Sequence, residues 1–102
     1  MDSLEVYWNG ALVGAMESPV PDMWYLEGVW RAAPESAAAD FVQAASSLDV
    51  KAVMADWEKG ILVELHEAEG RIPAIVMAPV GPTMFVRRIS QESLSLLIRR
   101  KT

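Results

Sequence analysis

The chain has 102 residues, of which 52% are hydrophobic, contains no cysteine and carries a net charge of −5 at pH 7. This composition predicts one domain over residues 1–102 with an ordinary apolar core, and it excludes disulfide bonds and thiolate chemistry. No apolar run approaches the roughly 20 residues of a membrane span, and residues 1–5 lack the pattern of a secretory signal. We therefore expect a cytoplasmic protein that does not contact membranes.

The charge is distributed unevenly along the chain. Residues 1–86 carry 13 acidic and 4 basic side chains, whereas residues 87–102 carry 5 basic side chains and one acidic side chain. An acidic body repels phosphate backbones, so we expect no nucleic-acid partner. The basic residues Arg99, Arg100 and Lys101 are typical of a helix C-terminus, where cations complement the helix dipole.

The first predicted element is a β-hairpin that turns at Asn9 and Gly10, because this dipeptide accepts the positive φ angles of a two-residue turn. The expected register pairs Trp8 with Ala11, Val6 with Val13 and Leu4 with Ala15, and it places an apolar face on both strands. That face consists of Leu4, Val6, Trp8, Ala11, Val13 and Ala15.

Residues 18–22 are predicted as a loop, because Pro19 and Pro21 cannot donate hydrogen bonds to a sheet. Residues 23–31 follow as a strand. This strand carries apolar side chains on both faces, which is typical of a central strand.

The clearest predicted helix spans residues 34–47. Pro34 suits the first helical position, and Glu35 lies in the first turn, where an acid favours the helix dipole. Its apolar residues recur at helical spacing, and most are small enough to approach a sheet closely. They are Ala37, Ala38, Phe41, Ala45 and Leu48.

Residues 50–57, 61–67 and 71–78 are predicted as three strands of a meander. The turns between them are expected to have three residues each, with positive φ at Gly60 and Gly70. The expected pairs are Trp57 with Ile61, Ala55 with Val63, Glu67 with Arg71 and Val63 with Ile75.

Residues 83–89 are predicted as a further strand, followed by a helix that Ser90 caps. The apolar stripe of this helix contains Leu94, Leu97 and Ile98, although so short an apolar run also permits a strand. In chain order the sequence predicts a β-hairpin, a strand, a helix, a three-strand meander, a strand and a C-terminal helix. We expect an α+β fold in which about seven strands form a strongly bent antiparallel sheet or an open barrel.

The residues with the most chemistry to offer are Asp56, Glu64 and His66, which the expected registers place on one sheet face. A histidine with two carboxylates suits metal binding or acid–base catalysis. The polar and apolar alternation of a half-buried strand already accounts for all three, however. No nucleophile elbow or phosphate-binding loop occurs in the sequence. We therefore expect no catalytic residue, no metal and no cofactor.

The aromatic residues are the most promising for binding. All four tryptophans (Trp8, Trp24, Trp30 and Trp57) fall on predicted inward faces, so the first interpretation is that they belong to the hydrophobic core. Tyr7 and Tyr25 fall on the opposite faces. The expected contacts for a ligand or partner are Tyr7, Tyr25, Trp24 and Trp30.

The hypothesis that requires the fewest specific sequence features is a non-enzymatic protein-binding module with an adaptor, inhibitor or immunity-like role. An alternative is a small-molecule-binding domain with an aromatic-lined pocket between sheet and helix, and a third is an enzyme or metal site that uses Asp56, Glu64 and His66. The apolar second faces of the first strands also predict a homodimer. Those faces contain Tyr7, Leu12, Met16, Met23, Tyr25 and Val29.

Overall fold

The computed structural model describes residues 2–101, and the side chains of residues 2–99. The strands are β1 (Ser3–Trp8), β2 (Ala11–Asp22), β3 (Tyr25–Ala32), β4 (Ile61–Glu67), β5 (Gly70–Val76) and β6 (Thr83–Arg88). The helices are α1 (Ser36–Ala45), α2 (Val50–Ala55) and α3 (Gln91–Lys101), with a single 3-10 turn at Trp57–Lys59.

The strands of the described residues form one closed antiparallel barrel in the order β1-β2-β3-β6-β5-β4. The expected α+β fold with an antiparallel sheet is therefore confirmed. The expectation of an open sheet with about seven strands is wrong, because the sheet closes with six. In the described part of the chain, no helix is long and apolar enough to cross a membrane.

Two apolar cores lie on the two faces of the barrel wall. The interior core includes Leu4, Val6 and Met84, and α1 inserts Phe41 and Ala45 into it. The second core lies outside β5, where α2 and α3 cover the wall. It consists of Val53, Ile75, Met77, Ile89 and Leu97. The alternation of β5 explains this division, since Ala74 and Val76 belong to the interior core while Ile75 faces the helices.

The predicted strand over residues 50–57 is wrong, because this segment is α2 followed by the 3-10 turn. Asp49 caps α2 by accepting a 3.1 Å hydrogen bond from the Lys51 N–H. Val50, Val53 and Trp57 recur at helical rather than strand spacing, and all three pack in the second core. The expected pairing of this segment with β4 consequently does not occur.

The β4–β5 register is one residue away from the predicted one. Glu67 pairs with Gly70 and His66 pairs with Arg71, so the turn contains two residues rather than three. Gly70 takes part in the strand ladder and Gly60 has a φ of −88°, so neither adopts the expected positive φ.

The first hairpin confirms the turn at Asn9 and Gly10, whose φ angles are 52° and 80°, and the pairing of Trp8 with Ala11. A bulge between Val6 and Tyr7 then shifts the register, so that Leu4 pairs with Met16 instead of Ala15. Of the face expected to form a dimer, Met16 is fully buried and Tyr25 packs against the second core, whereas Met23 and Val29 are exposed. The homodimer itself stays a prediction.

Two further boundaries differ from the sequence prediction. Strand β2 continues through the expected loop to Asp22, with a bulge at Ser18, which has a φ of 50°, and a buried Pro19. Helix α1 is shorter than residues 34–47, although its predicted apolar stripe does face the barrel interior.

The C-terminal helix agrees with the prediction in position and cap, and Leu94 and Leu97 of its predicted stripe pack in the second core, whereas Ile98 is 50% exposed. The Ser90 hydroxyl accepts a 3.1 Å hydrogen bond from the Ser93 N–H, which confirms the cap. The helix reaches Lys101, but the side chains of Arg100 and Lys101 lie outside the described residues, so the dipole interpretation of the basic tail stays a prediction.

Candidate functional site

The first candidate site is a groove of about 810 Å³ that follows β4 and is also lined by β1, β5 and α3. Glu64 and His66 stand two residues apart on β4 and therefore project from the same face. The cross-strand registers place Tyr7 opposite Glu64 and Arg71 opposite His66. Closure of the barrel thus assembles four polar or aromatic side chains from three strands.

Their geometry is tight around the histidine. The Tyr7 and His66 rings are stacked, with 3.9 Å between centroids and 20° between planes. His66 Nε2 lies 2.6 Å from Glu64 Oε1, and Arg71 Nη1 lies 3.9 Å from the same oxygen. The apolar lining includes Leu62, Pro73 and Leu94. This arrangement offers an aromatic surface, a carboxylate and a guanidinium to a small amphipathic molecule.

Asp56 does not join Glu64 and His66. Its Oδ1 accepts a 3.1 Å hydrogen bond from the Glu58 N–H and caps the 3-10 turn. The three residues were expected on one sheet face, but that expectation required residues 50–57 to be a strand. Within residues 2–101, no group of three or more histidine, cysteine, aspartate or glutamate side chains could hold a metal ion.

The second candidate site is the turn between β2 and β3, formed by Met23 and Trp24, which we call the hairpin tip. Met23 is 82% exposed and Trp24 is 54% exposed, and Val20 in the same hairpin is 66% exposed. Met23 has a φ of 56°, a left-handed conformation that residues with large side chains rarely adopt. The tip therefore presents two large apolar side chains to water on a backbone that usually carries Asn or Gly.

Arg88, the last residue of β6, holds the hairpin tip in place. Its backbone N–H donates a 2.7 Å hydrogen bond to the Trp24 carbonyl. Its guanidinium donates through Nη2 to the Met23 carbonyl and, at 3.5 Å, through Nε to the Trp24 carbonyl. A contact between distant parts of the sequence therefore fixes a turn that its own residues do not favour.

The four aromatic residues expected to bind a ligand or partner do not come together. Trp24 and Tyr25 lie at the tip and just after it, with Tyr25 stacked on Phe85 at 5.4 Å between centroids. Tyr7 lines the groove. Trp30 packs on Phe41 in the interior core, with 5.6 Å between ring centroids.

Trp24 was expected to face inward, and this expectation is wrong because Trp24 lies in the turn rather than in the strand. Trp57 also leaves its predicted strand face, since it begins the 3-10 turn and packs against the second core.

Sequence reasoning missed the turn itself and the part played by Arg88. Neither Met23 nor Trp24 is a turn former, so no local signal marks the tip. The arginine lies 65 residues from Met23 in the sequence, and the pairing of β3 with β6 brings the two together.

Comparison with known proteins finds no counterpart: no protein-family model, no curated protein and no solved structure matches this chain.

Proposed function

We propose that this chain is a non-enzymatic protein-binding module and that the hairpin tip is its contact element. The single observation that carries the proposal is the exposure of Met23 and Trp24 at a turn with positive φ. A left-handed conformation costs roughly 1–2 kcal/mol for a residue with a side chain, so a tip selected only for stability would use Asn or Gly. Tryptophan and methionine are both enriched at protein interfaces.

The Arg88 contacts support the same proposal. Hydrogen bonds from Arg88 to both tip carbonyls order the turn before any partner arrives. An ordered turn loses little conformational entropy on binding, which leaves more of the apolar burial as affinity. A tryptophan on an ordered hairpin turn suits insertion into a pocket of a partner, as required of an adaptor, an inhibitor or an immunity-like protein.

Binding is proposed rather than catalysis because the described residues of the groove do not include all three of the side chains that the sequence suggested for catalysis. Glu64 and His66 form a pair, but the third expected group, Asp56, caps the 3-10 turn instead. The groups beside this pair are the Tyr7 ring, which stacks on the histidine, and the Arg71 guanidinium, which lies 3.9 Å from Glu64, and the proposal assigns neither of them a role in proton transfer.

Affinity capture with matched variants tests the proposal. Wild type, Trp24→Ser and Leu96→Ala are immobilised, and the proteins retained from native lysate are quantified by mass spectrometry. Leu96 is the control because it is 57% exposed on α3, far from the tip in sequence. We expect wild type and Leu96→Ala to retain the same partner protein. The amount of this protein that Trp24→Ser retains should be lower by a factor of roughly ten or more.

Identical retention by all three baits would contradict the proposal. Self-association through the tip is the homodimeric form of the same proposal. Sedimentation equilibrium of the purified chain identifies it, because wild type and Leu96→Ala would then dimerise at concentrations at which Trp24→Ser remains monomeric.

A second candidate function is small-molecule binding in the groove. The specific observation is its volume of about 810 Å³, which falls within the range of ligand pockets. The lining differs from the expected aromatic pocket, since it uses Tyr7 and Trp8 rather than Trp24 and Trp30. A compound that binds there should raise the melting temperature of wild type and Trp24→Ser but not of Tyr7→Ala. A compound set that raises none of them, or all of them equally, would remove this candidate.

A further inference from the structure

Arg87 occupies an aromatic cradle beside the hairpin tip. Its Cζ lies 4.3 Å from the ring centroid of Trp57 and 5.8 Å from that of Tyr25. Tyr25 directly follows Trp24 and pairs with Arg87 across the β3–β6 ladder. Arg88, the neighbour of Arg87, is the residue that holds the tip. The cradle and the tip therefore stand at the same end of the barrel.

The hydrogen-bonding capacity of Arg87 is almost unused. A guanidinium has five N–H donors, and the one hydrogen bond that the Arg87 guanidinium makes to a described residue is a 3.4 Å contact from Nη1 to the Arg88 carbonyl. No ion pair in the described part of the chain includes Arg87, although the sequence has 14 acidic residues. The ring contacts explain the position of the side chain, but they leave its in-plane donors without a carboxylate.

We propose that the Arg87 cradle binds a carboxylate side chain of the partner protein, next to the apolar group that the hairpin tip engages; this inference rests on the proposed function. Flat guanidinium groups bind carboxylates with two parallel hydrogen bonds, and flanking aromatic rings hold the plane in place. Charge complementarity favours one carboxylate over a polyanion, because the acidic body of the chain repels extended phosphate backbones. The expected ligand is thus a segment with an aspartate or glutamate close to a large apolar residue.

A display library of random twelve-residue peptides serves as the probe. It is selected in parallel on wild type, Arg87→Gln, Trp24→Ser and Arg31→Gln. Arg31 is the matched control because its guanidinium is already paired with Glu17 at 2.7 Å, and this hydrogen bond, with the charge of Glu17, raises the pKa of Arg31. The most enriched wild-type peptide is then synthesised and its Kd is measured for all four proteins and for Arg87→Lys.

We expect wild type and Arg31→Gln to enrich peptides with an acidic residue near an apolar one. Arg87→Gln should enrich apolar residues without the acidic one, and it should bind the wild-type peptide roughly 10- to 100-fold more weakly, as expected for the loss of a charge-assisted hydrogen bond. Arg87→Lys should recover only part of that loss, because an ammonium lacks the flat paired donors.

The arms separate the two proposals. If wild-type peptides carry no acidic enrichment, or if Arg87→Gln selects the same acidic residues, the cradle inference is overturned while the tip keeps its role. If Trp24→Ser selects the same peptides as wild type, or if wild type enriches none, the proposed function falls and the inference falls with it.

Discussion

The two hairpin turns on either side of β2 both have two residues, but the residues differ in how well they suit a turn. The β1–β2 turn uses Asn9 and Gly10, with φ angles of 52° and 80°. The β2–β3 turn places Met23 at a φ of 56°, followed by Trp24. The first pair consists of the residues that tolerate a left-handed backbone best, whereas the second pair consists of residues that tolerate it poorly.

The difference shows where the two turns obtain their shape. Local residue preference is sufficient for the first turn, as the sequence alone predicted. The second turn depends on hydrogen bonds from Arg88, which reach it only when β6 pairs with β3. A turn that sacrifices local preference and keeps two exposed apolar side chains is the pattern expected when a contact surface matters more than stability.

The largest expected effect comes from removing the support of the second turn. Arg88→Met should lower the free energy of unfolding by about 2 kcal/mol, because the carbonyls of Met23 and Trp24 lose a charged donor. Urea unfolding measures the loss. Amide hydrogen exchange in the variant should become faster at residues 23–25 and stay unchanged at Gly10. An equal acceleration of exchange at the two turns would contradict the proposed difference.

A smaller pair of effects should have opposite signs. Met23→Asn should raise the free energy of unfolding by about 0.5–1 kcal/mol, because asparagine tolerates the left-handed backbone that methionine does not. Gly10→Ala should lower it by about 1 kcal/mol, because alanine at a φ of 80° is strained. Thermal and urea melts of both variants provide the test, and destabilisation by Met23→Asn would show that the second turn is not strained.

The smallest effect on stability is expected at Trp24. Because its side chain is more than half exposed, Trp24→Ser should change the free energy of unfolding by no more than about 0.5 kcal/mol. A loss well above that value would mean that the indole supports the fold, and weakened capture by this variant would then say little about binding. Urea titration of this variant beside Leu96→Ala separates the two outcomes.

Local signals in the sequence were sufficient where an element depends on its own residues. The turn at Asn9 and Gly10, the apolar stripe around Phe41 and the cap at Ser90 were predicted and are confirmed. Each of these features depends on residues within a few positions of one another.

Features that depend on distant contacts were missed. The closure of the barrel and the Arg88 contacts arise from pairing between distant segments, β1 with β4 and β3 with β6. Residues 50–57 were also misassigned, although the cap at Asp49 and the helical spacing of Val50, Val53 and Trp57 are local signals for a helix. For the candidate sites, the sequence provided the pair of Glu64 and His66 on one strand face, but it gave no indication that Met23 and Trp24 form a turn.

The most direct test of whether the hairpin tip contacts a partner compares the two turns as contact points. Photo-cross-linkable p-benzoylphenylalanine is placed at position 24 in one variant and at position 9 in another, and thermal melts confirm that both are folded before irradiation in native lysate. We expect a discrete cross-linked protein product from position 24 and none from position 9. Equal products from both positions, or a product from position 9 alone, would contradict the claim that the hairpin tip is the contact element.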